Sequence, residues 1–398
     1  MSFNNLEGKN IVLCVSAGIA AYKSVELLRQ LQKMGASVKV VMTKSAQAFV
    51  GVATFQAISG FPVMTTVFEE GADASIRHIS WAEEADLVVV APATANIIGK
   101  LANGIADDAL TTFMLAVTAP VVVCPSMNSN MYENKIVQRN IDSLEGDGFT
   151  IIEPGTGELA CGTSGAGRFP EPRFIADRII QRLTPKDLNG KKIIVTAGPT
   201  QEAIDPVRYI SNHSSGKMGY AIARAAEYRG AEVTLVSGPV SLEEPLNMNF
   251  IKIKSASEMR DVVISGMDAA DIIIKVAAVA DYRAKNQAEH KIKKKSDEMV
   301  IELDKNPDIL KEAGSKKTNQ ILVGFAAETQ DLTDNATKKL EAKNLDMIVG
   351  NLVGDPSSGF GTDTNIVTLF YRDGRKEPFD SMSKEDVANI IFDRILSL

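Results

Sequence analysis

At 398 residues the chain is too long for one typical core, and its size points to two or three domains. Its 45% apolar and 23% charged residues suit a soluble globular protein, and no apolar run reaches the roughly 18 residues that span a bilayer. A net charge of −7 argues against a broad nucleic-acid-binding face but leaves room for small anionic substrates. Cys14, Cys124 and Cys161 are scattered and odd in number, so no disulfide framework is expected, and the N-terminus shows no signal-like segment. A cytoplasmic setting is expected.

The apolar run Asn10–Ser16 predicts a first strand, Ala17-Gly18 a turn, and the spacing of Val25, Leu28 and Leu31 a helix ending at Gly35. Strands are then expected at Val38–Met42, Asp86–Ala91, Pro120–Cys124 and Phe149–Ile152. The polar stretch Thr184–Gly190, with Pro185 and Gly190, reads as a linker. The pattern restarts with a strand at Lys192–Ala197, a helix at Gly216–Arg229 and a strand at Glu232–Val236. Asp271–Val276, Ile321–Phe325, Asp346–Val349 and Ile366–Tyr371 continue it. Continuous Val/Ile/Leu runs alternating with amphipathic segments imply parallel strands joined by helices. The expected class is α/β, with two doubly wound, Rossmann-like domains at residues 1–187 and 188–398.

Common nucleotide and metal signatures are missing. The first strands are followed by SAGIAAYK and AGPTQEAI rather than G-x-G-x-x-G, and no P-loop, H-E-x-x-H or C-x-x-C occurs. A protein-held zinc is not expected.

Four pieces mark the first half. Ser16-Ala17-Gly18-Ile19-Ala20 lies where helix N–H groups can hold a phosphate, although a plain turn is the simpler reading. Ala91-Pro92-Ala93-Thr94-Ala95-Asn96, followed by Gly104–Asp108, would let a planar ring approach a strand end; capping by Asp107 is the competing account. His78 can move a proton near neutral pH, yet an isolated histidine is more often structural. Pro125–Met131 follows a strand, and Cys161 sits among five glycines in a segment suited to a mobile lid.

In this order the pieces resemble the flavin-dependent phosphopantothenoylcysteine decarboxylases over residues 8–183. The resemblance implies a flavodoxin-like domain holding FMN at a trimer interface, with Ser16, Gly18, Ile19, Thr43, Ala93, Thr94 and Asn96 as cofactor contacts. It implies oxidation of the substrate's cysteine end to a thioaldehyde, loss of carbon dioxide and reduction of the enethiol. His78 would act in the oxidative and decarboxylating steps, Asn128 would hold the carboxylate and Cys161 would donate the final proton. An amide suits a carboxylate that must leave as a neutral molecule, because a cation would stabilise its ground state. Free cysteine, with a pKa of about 8.5, remains a proton donor near pH 7. Ser126 stands where many members carry alanine.

In the second half Asp205–Gly219 is a long polar stretch containing Arg208 and a Ser-Ser-Gly turn before a helix. Ala277–Tyr282, the lysine run from Lys291, Lys305–Ile309, Gly324–Thr329 and the pair Lys339/Lys343 follow; the last two share a helix face. A lysine run alone is usually a solvated surface. Together these motifs resemble bacterial phosphopantothenate–cysteine ligase over residues 189–398. The resemblance implies CTP activation of a carboxylate as an acyl-cytidylate, which the amine of cysteine then attacks. Asp281, Lys291, Asn306, Pro307, Asp308, Ile309, Phe325, Lys339 and Lys343 would bind CTP, with Lys291 also stabilising developing charge. Arg208, Asn212 and Ala278 would contact the acyl-cytidylate, and Mg²⁺ would arrive mainly on the phosphates.

Both motif sets follow the order of the bacterial bifunctional enzymes of coenzyme A biosynthesis. Their resemblance implies 4'-phosphopantothenate, L-cysteine and CTP as substrates, and a homo-oligomer of trimeric first and dimeric second domains, extending to a dodecamer. A non-catalytic flavin-fold regulatory protein is the main rival, but such proteins lose parts of the Asn/Cys pair that Asn128 and Cys161 complete here. Another flavin enzyme would leave the C-terminal motifs unused, and an NAD(P) oxidoreductase lacks its fingerprint.

Overall fold

Apolar runs become central strands in this chain because each buries both of its faces. The computed structural model describes residues 6–67, 77–158, 164–245, 247–293, 299–328, 332–352, 359 and 361–398. Contacts divide the chain into two units, Met1–Thr184 and Pro185–Leu398.

In the first unit β1 (Asn10–Val15), β2 (Ser37–Met42), β3 (Val63–Met64), β4 (Leu87–Ala93), β5 (Val121–Pro125) and β6 (Thr150–Ile151) form one sheet. All pairs are parallel, in the order β3-β2-β1-β4-β5-β6. Without the two-residue edge strand β3 this is the flavodoxin-like order. The period of two sorts β1: Ile11, Leu13 and Val15 pack with Leu27, Leu28 and Leu31 of the helix Ala21–Lys33. Val12 and Cys14 pack with Leu110 and Phe113 on the other face. Each such fully buried aliphatic side chain contributes about 1.5–3 kcal/mol. Cys14 and Cys124 are core residues whose thiols burial pushes far above the usual range, which removes them from thiolate chemistry. A hairpin of β7 (Gly155–Glu158) and β8 (Ser164–Arg168) follows.

The second unit begins with β9 (Lys192–Ala197), from which the hairpin β10 (Gln201–Ala203) and β11 (Tyr209–Ser211) rises. Then come β12 (Glu232–Ser237), β13 (Asn249–Lys252), β14 (Ile272–Lys275), a ribbon of β15 (Tyr282–Ala284) and β16 (Leu303–Lys305), β17 (Ile321–Glu328), β18 (Met347–Leu352), β19 (Thr364–Tyr371) and β20 (Lys376–Ser383). The main sheet runs β13-β12-β9-β14-β17-β18-β19-β20, parallel up to β18 and antiparallel beyond it. Helices Lys217–Tyr228 and Lys384–Ile395 cover one face, and Arg229 ties this layer together by pairing with Asp187 and Asp393 at 2.6 and 2.7 Å. Both doubly wound sheets match the expected class. The stretch read as one long polar loop proves to contain β11, too short and polar to show as a strand.

Candidate functional site

Strand order reverses between β1 and β4 in the first unit, which opens a crevice beyond their carboxyl ends. Ser16 lies there, 1% exposed; its hydroxyl donates to Pro92 O at 2.7 Å and accepts the Thr94 N–H at 3.1 Å. Thr94 caps the helix Ala95–Ala102 and Thr43 caps the turn Lys44–Ala48, each through its side-chain oxygen. Thr43 is also bonded from its N–H to Val15 O at 3.1 Å. Ser16, Thr43, Ala93 and Thr94 are thereby gathered around three adjacent strand ends. Gly18 and Ile19 form the adjoining turn, with Ile19 exposed, while Asn96 is exposed on the first turn of its helix.

The helix Ala21–Lys33 starts at Ala20 without a side-chain cap and without an acid in its first turn. Its N-terminus, where the Ala21 and Lys23 N–H groups meet the carbonyls of Gly18 and Ala20 at 3.0 Å, adjoins these hydroxyls and small residues and fits the phosphate of FMN. His78, half-buried on the helix Arg77–Glu84, has a buried Nδ1 with no hydrogen-bond partner among the described residues, as a group awaiting a ligand would. Asp108, rather than Asp107, caps the helix Ala109–Ala116, through a reciprocal pair with Thr111. Asp107 is exposed and pairs with Lys100 at 2.6 Å. Chain direction decides this, since Asp108 immediately precedes the helix.

Asn128 caps the helix Ser129–Tyr132 by accepting the Asn130 N–H at 2.9 Å. The β7–β8 hairpin docks on this turn: Met127 N–H donates to Gly167 O at 3.0 Å. Gly167 has φ +129°, and a Cβ there would lie 2.2 Å from Met127 O, so only glycine permits the approach. Cys161 lies outside the described residues; of the two strands that flank its segment, β8 is held against the Asn128 turn and β7 pairs with β8.

In the second unit the order reverses between β9 and β14. A cavity of about 490 Å³ there is lined by Asn212, Ala278, Asp281, Phe325, Lys339 and Lys343 among others. A neighbouring cavity of about 350 Å³ is lined by Asn306, Pro307, Asp308 and Ile309 and shares Lys275, Val279, Asp281 and Lys343 with the first. Residues drawn from five separated motifs thus meet. Asn212 Nδ2 donates to Val279 O at 3.0 Å, and Asp308 caps the helix Ile309–Lys316 while pairing with Lys343 at 2.9 Å. Asn306 Nδ2 donates to Ala280 O at 2.8 Å, whereas its buried Oδ1 has no partner among the described residues. The helix Lys217–Tyr228 begins at Gly216, φ +77°, again with no side-chain cap, and its first turn lines the larger cavity. Arg208 and the exposed Lys291 line neither cavity; they are joined through Ile292, whose carbonyl accepts Arg208 Nη2 at 3.0 Å.

Three further lysines, Lys217, Lys275 and Lys384, line the larger cavity. Lys275 closes β14; burial, and then the like charge of Lys343, push its ammonium down to about 8. Lys384 is 4% exposed and donates to the carbonyls of Gly359, Thr362 and Thr364; burial followed by Lys217 brings it to about 8 as well. A lysine ending an apolar run reads in sequence as the wet end of a strand. The signal that marks Lys275 is its place immediately before Val276-Ala277-Ala278-Val279-Ala280-Asp281.

Comparison with known proteins matches residues 2–184 to the flavoprotein family and residues 188–398 to the DNA/pantothenate metabolism flavoprotein C-terminal domain. The coenzyme A biosynthesis bifunctional protein CoaBC of Bacillus subtilis (strain 168) is 54% identical over 397 residues, covering 99% of this chain and 98% of that protein. Its namesake in Escherichia coli (strain K12) is 46% identical over 399 residues, covering 99% and 98%. A crystal structure of the C-terminal domain of a coenzyme A biosynthesis bifunctional protein CoaBC is 46% identical, with a TM-score of 0.46, covering 53% of this chain and 96% of that one. With such identity along nearly its whole length, the chain belongs to the CoaBC family of bifunctional coenzyme A biosynthesis proteins.

Proposed function

We propose that the chain makes 4'-phosphopantetheine in two steps, ligating cysteine to 4'-phosphopantothenate with CTP in residues 188–398 and decarboxylating the product with FMN in residues 1–187. The observation that carries the ligase reading is the convergence of Asn212, Ala278, Asp281, Phe325, Lys339 and Lys343 on one cavity at the strand-order reversal.

In the first step a phosphopantothenate carboxylate oxygen attacks the α-phosphorus of CTP, and pyrophosphate leaves. Lys275, Lys339 and Lys343, with the N–H groups at Gly216–Met218, offset the triphosphate's charge. The unsatisfied Asn306 Oδ1 offers an acceptor to the bound nucleotide. Lys291 stabilises the charge that develops as the anhydride forms. The amine of cysteine then attacks the acyl carbon, loses a proton and displaces CMP, with Asn212, Arg208 and Ala278 holding the acyl group. Among the described residues no three His, Cys, Asp or Glu side chains gather as a metal site, so Mg²⁺ is assigned to the substrate, on the triphosphate oxygens.

For the second step FMN, when bound, supplies two-electron oxidation and re-reduction. The chain's own residues hold and protonate: Asn128 orients the substrate carboxylate, His78 moves a proton through its Nδ1, which has no partner among the described residues, and Cys161 delivers the last one. No described helix is long and apolar enough to cross a membrane. Exposed Ile19, Tyr22, Leu115 and Met131 supply apolar surface that self-association of the first unit would cover.

The ligase reading is tested by giving the full-length protein phosphopantothenate, Mg²⁺ and each of the four nucleoside triphosphates in turn. Pyrophosphate release with CTP alone is expected; equal release with ATP, or none with any, rejects it.

A further inference from the structure

The turn between β10 and β11 holds a carboxylate that the steps above leave without a task. The side chain of Asp205 is 0% exposed. Its Oδ1 accepts the backbone N–H groups of Val207 and Arg208, both at 2.8 Å. Its Oδ2 accepts Arg208 Nε at 3.0 Å, Arg208 Nη2, and the backbone N–H of Ile292 at 3.1 Å. Arg208 Nη2 in turn reaches the carbonyl of Ile292 at 3.0 Å. Both main-chain groups of Ile292 are therefore gripped, one by the carboxylate and one by its guanidinium partner. Ala288 N–H donates to Ile204 O at 3.0 Å and adds a second tie to the same turn.

An aspartate at a turn commonly caps only its own loop. This one also bonds a residue 87 positions along the chain. Burying a carboxylate is costly unless its lone pairs are filled, and here five donors fill them. The Arg208 hydrogen bonds, joined by the three backbone donors and opposed by burial, hold the acid well below the usual carboxylate range. The grip lands one residue from Lys291. The same hairpin runs through β11 to Asn212, which is bonded to Val279 beside the cavity. Arg208 keeps Nη1 without a partner among the described residues, so the pair leaves one donor edge for substrate.

We propose that Asp205 is a positioning residue of the ligation site, fixing Arg208 and the Lys291–Ile292 main chain to one carboxylate so that both cations are held in register with Asn212. This rests on the ligase reading of the second unit. Charged groups accelerate a reaction only from the right place, and displacing one by about 1 Å can cost on the order of 100-fold.

Asp205→Asn keeps the shape but turns an NH₂ toward donors. In the full-length protein, pyrophosphate release from CTP and phosphopantothenate with saturating cysteine should fall about 10- to 100-fold in kcat. KM for CTP should change little, because neither Asp205 nor the Arg208 and Lys291 that it fixes lines either cavity. Amide hydrogen exchange across residues 286–293 should speed up while the rest of the second unit keeps its protection. Should Asp205→Asn fail to fold, Ile292→Pro decides together with Ile292→Ala: in an exposed segment proline removes the N–H that Asp205 accepts and fixes φ, whereas alanine keeps that N–H, so the same fall in kcat is expected for proline and none for alanine. Wild-type kcat in a folded variant, or a loss of kcat with unchanged exchange across 286–293, overturns the inference. Wild-type protein that releases no pyrophosphate from CTP overturns the ligase reading itself, and shows this before any variant is made.

Discussion

The two candidate sites occupy the same point of two similar sheets, beyond the carboxyl end of the first strand where strand order reverses, and are furnished in opposite ways. Around β1 and β4 the chain places hydroxyls and small residues: Ser16, Thr43 and Thr94 with Gly18 and Ala93. Around β9 and β14 it places five lysines, Lys217, Lys275, Lys339, Lys343 and Lys384. Both sites use a helix that starts without a side-chain cap, at Ala20 and at Gly216. The positive end of an uncapped helix suits the single phosphate of a flavin, whose planar ring asks for close backbone approach rather than charge. A triphosphate needs several cations as well. The sheet supplies a crevice, and the residues at the strand ends choose its ligand.

Four substitutions probe this contrast, from the largest effect downward. Cys161→Ser should cost about 10²–10⁴ in the second step by removing its acid, while pyrophosphate release stays at wild-type rate. Oxidised product is expected to accumulate by mass spectrometry, and normal phosphopantetheine output contradicts the role. Lys291→Gln reverses the pattern: CTP turnover should drop about 10²–10³-fold with flavin content unchanged, read from the visible spectrum. Gly167→Ala strains φ +129° and drives a Cβ into Met127 O, costing about 1–3 kcal/mol locally. Decarboxylation should suffer and ligation should not, a split that assays of each half-reaction would reveal.

Lys275→Met is the mildest. Loss of one charge-assisted contact should weaken CTP about tenfold. Free lysine titrates near 10.4, whereas burial brings Lys275 to about 8, so its charge is present below that pH and lost above it. CTP affinity of the wild type should therefore decline as pH rises through about 8, and the methionine variant should lack that inflection. Titration by calorimetry across pH 7–9 checks this, and parallel curves for both proteins would remove Lys275 from the site.

Central strands were legible because their signal is local: Leu87–Ala93 is buried at every position and reads as one apolar run. The hairpin β10–β11 was not, since its three-residue strands carry polar side chains and take their reason from the turn they support. Among site residues, Lys339 and Lys343 both reach the cavity, although only Lys339 is on the helix Leu332–Ala342; Lys343 lies just past its end, its N–H bonded to Lys339 O at 3.1 Å. Arg208 and Lys291 belong instead to a separate contact through Ile292, set by a fold-back that spacing does not encode. Asp205 was visible as part of a polar motif, but one of its five donors, the Ile292 N–H, is remote in sequence. Lys275 was hidden by its own strand.

The measurement closest to the central claim supplies the full-length protein with phosphopantothenate, CTP, Mg²⁺ and cysteine labelled with ¹³C at its carboxyl carbon, and follows products by mass spectrometry. Labelled carbon dioxide, appearing with unlabelled phosphopantetheine and only when CTP is present, is the predicted result. A colourless protein that leaves phosphopantothenate unchanged would contradict both sites, and labelled phosphopantothenoylcysteine that never loses its carboxyl would contradict the first unit's alone.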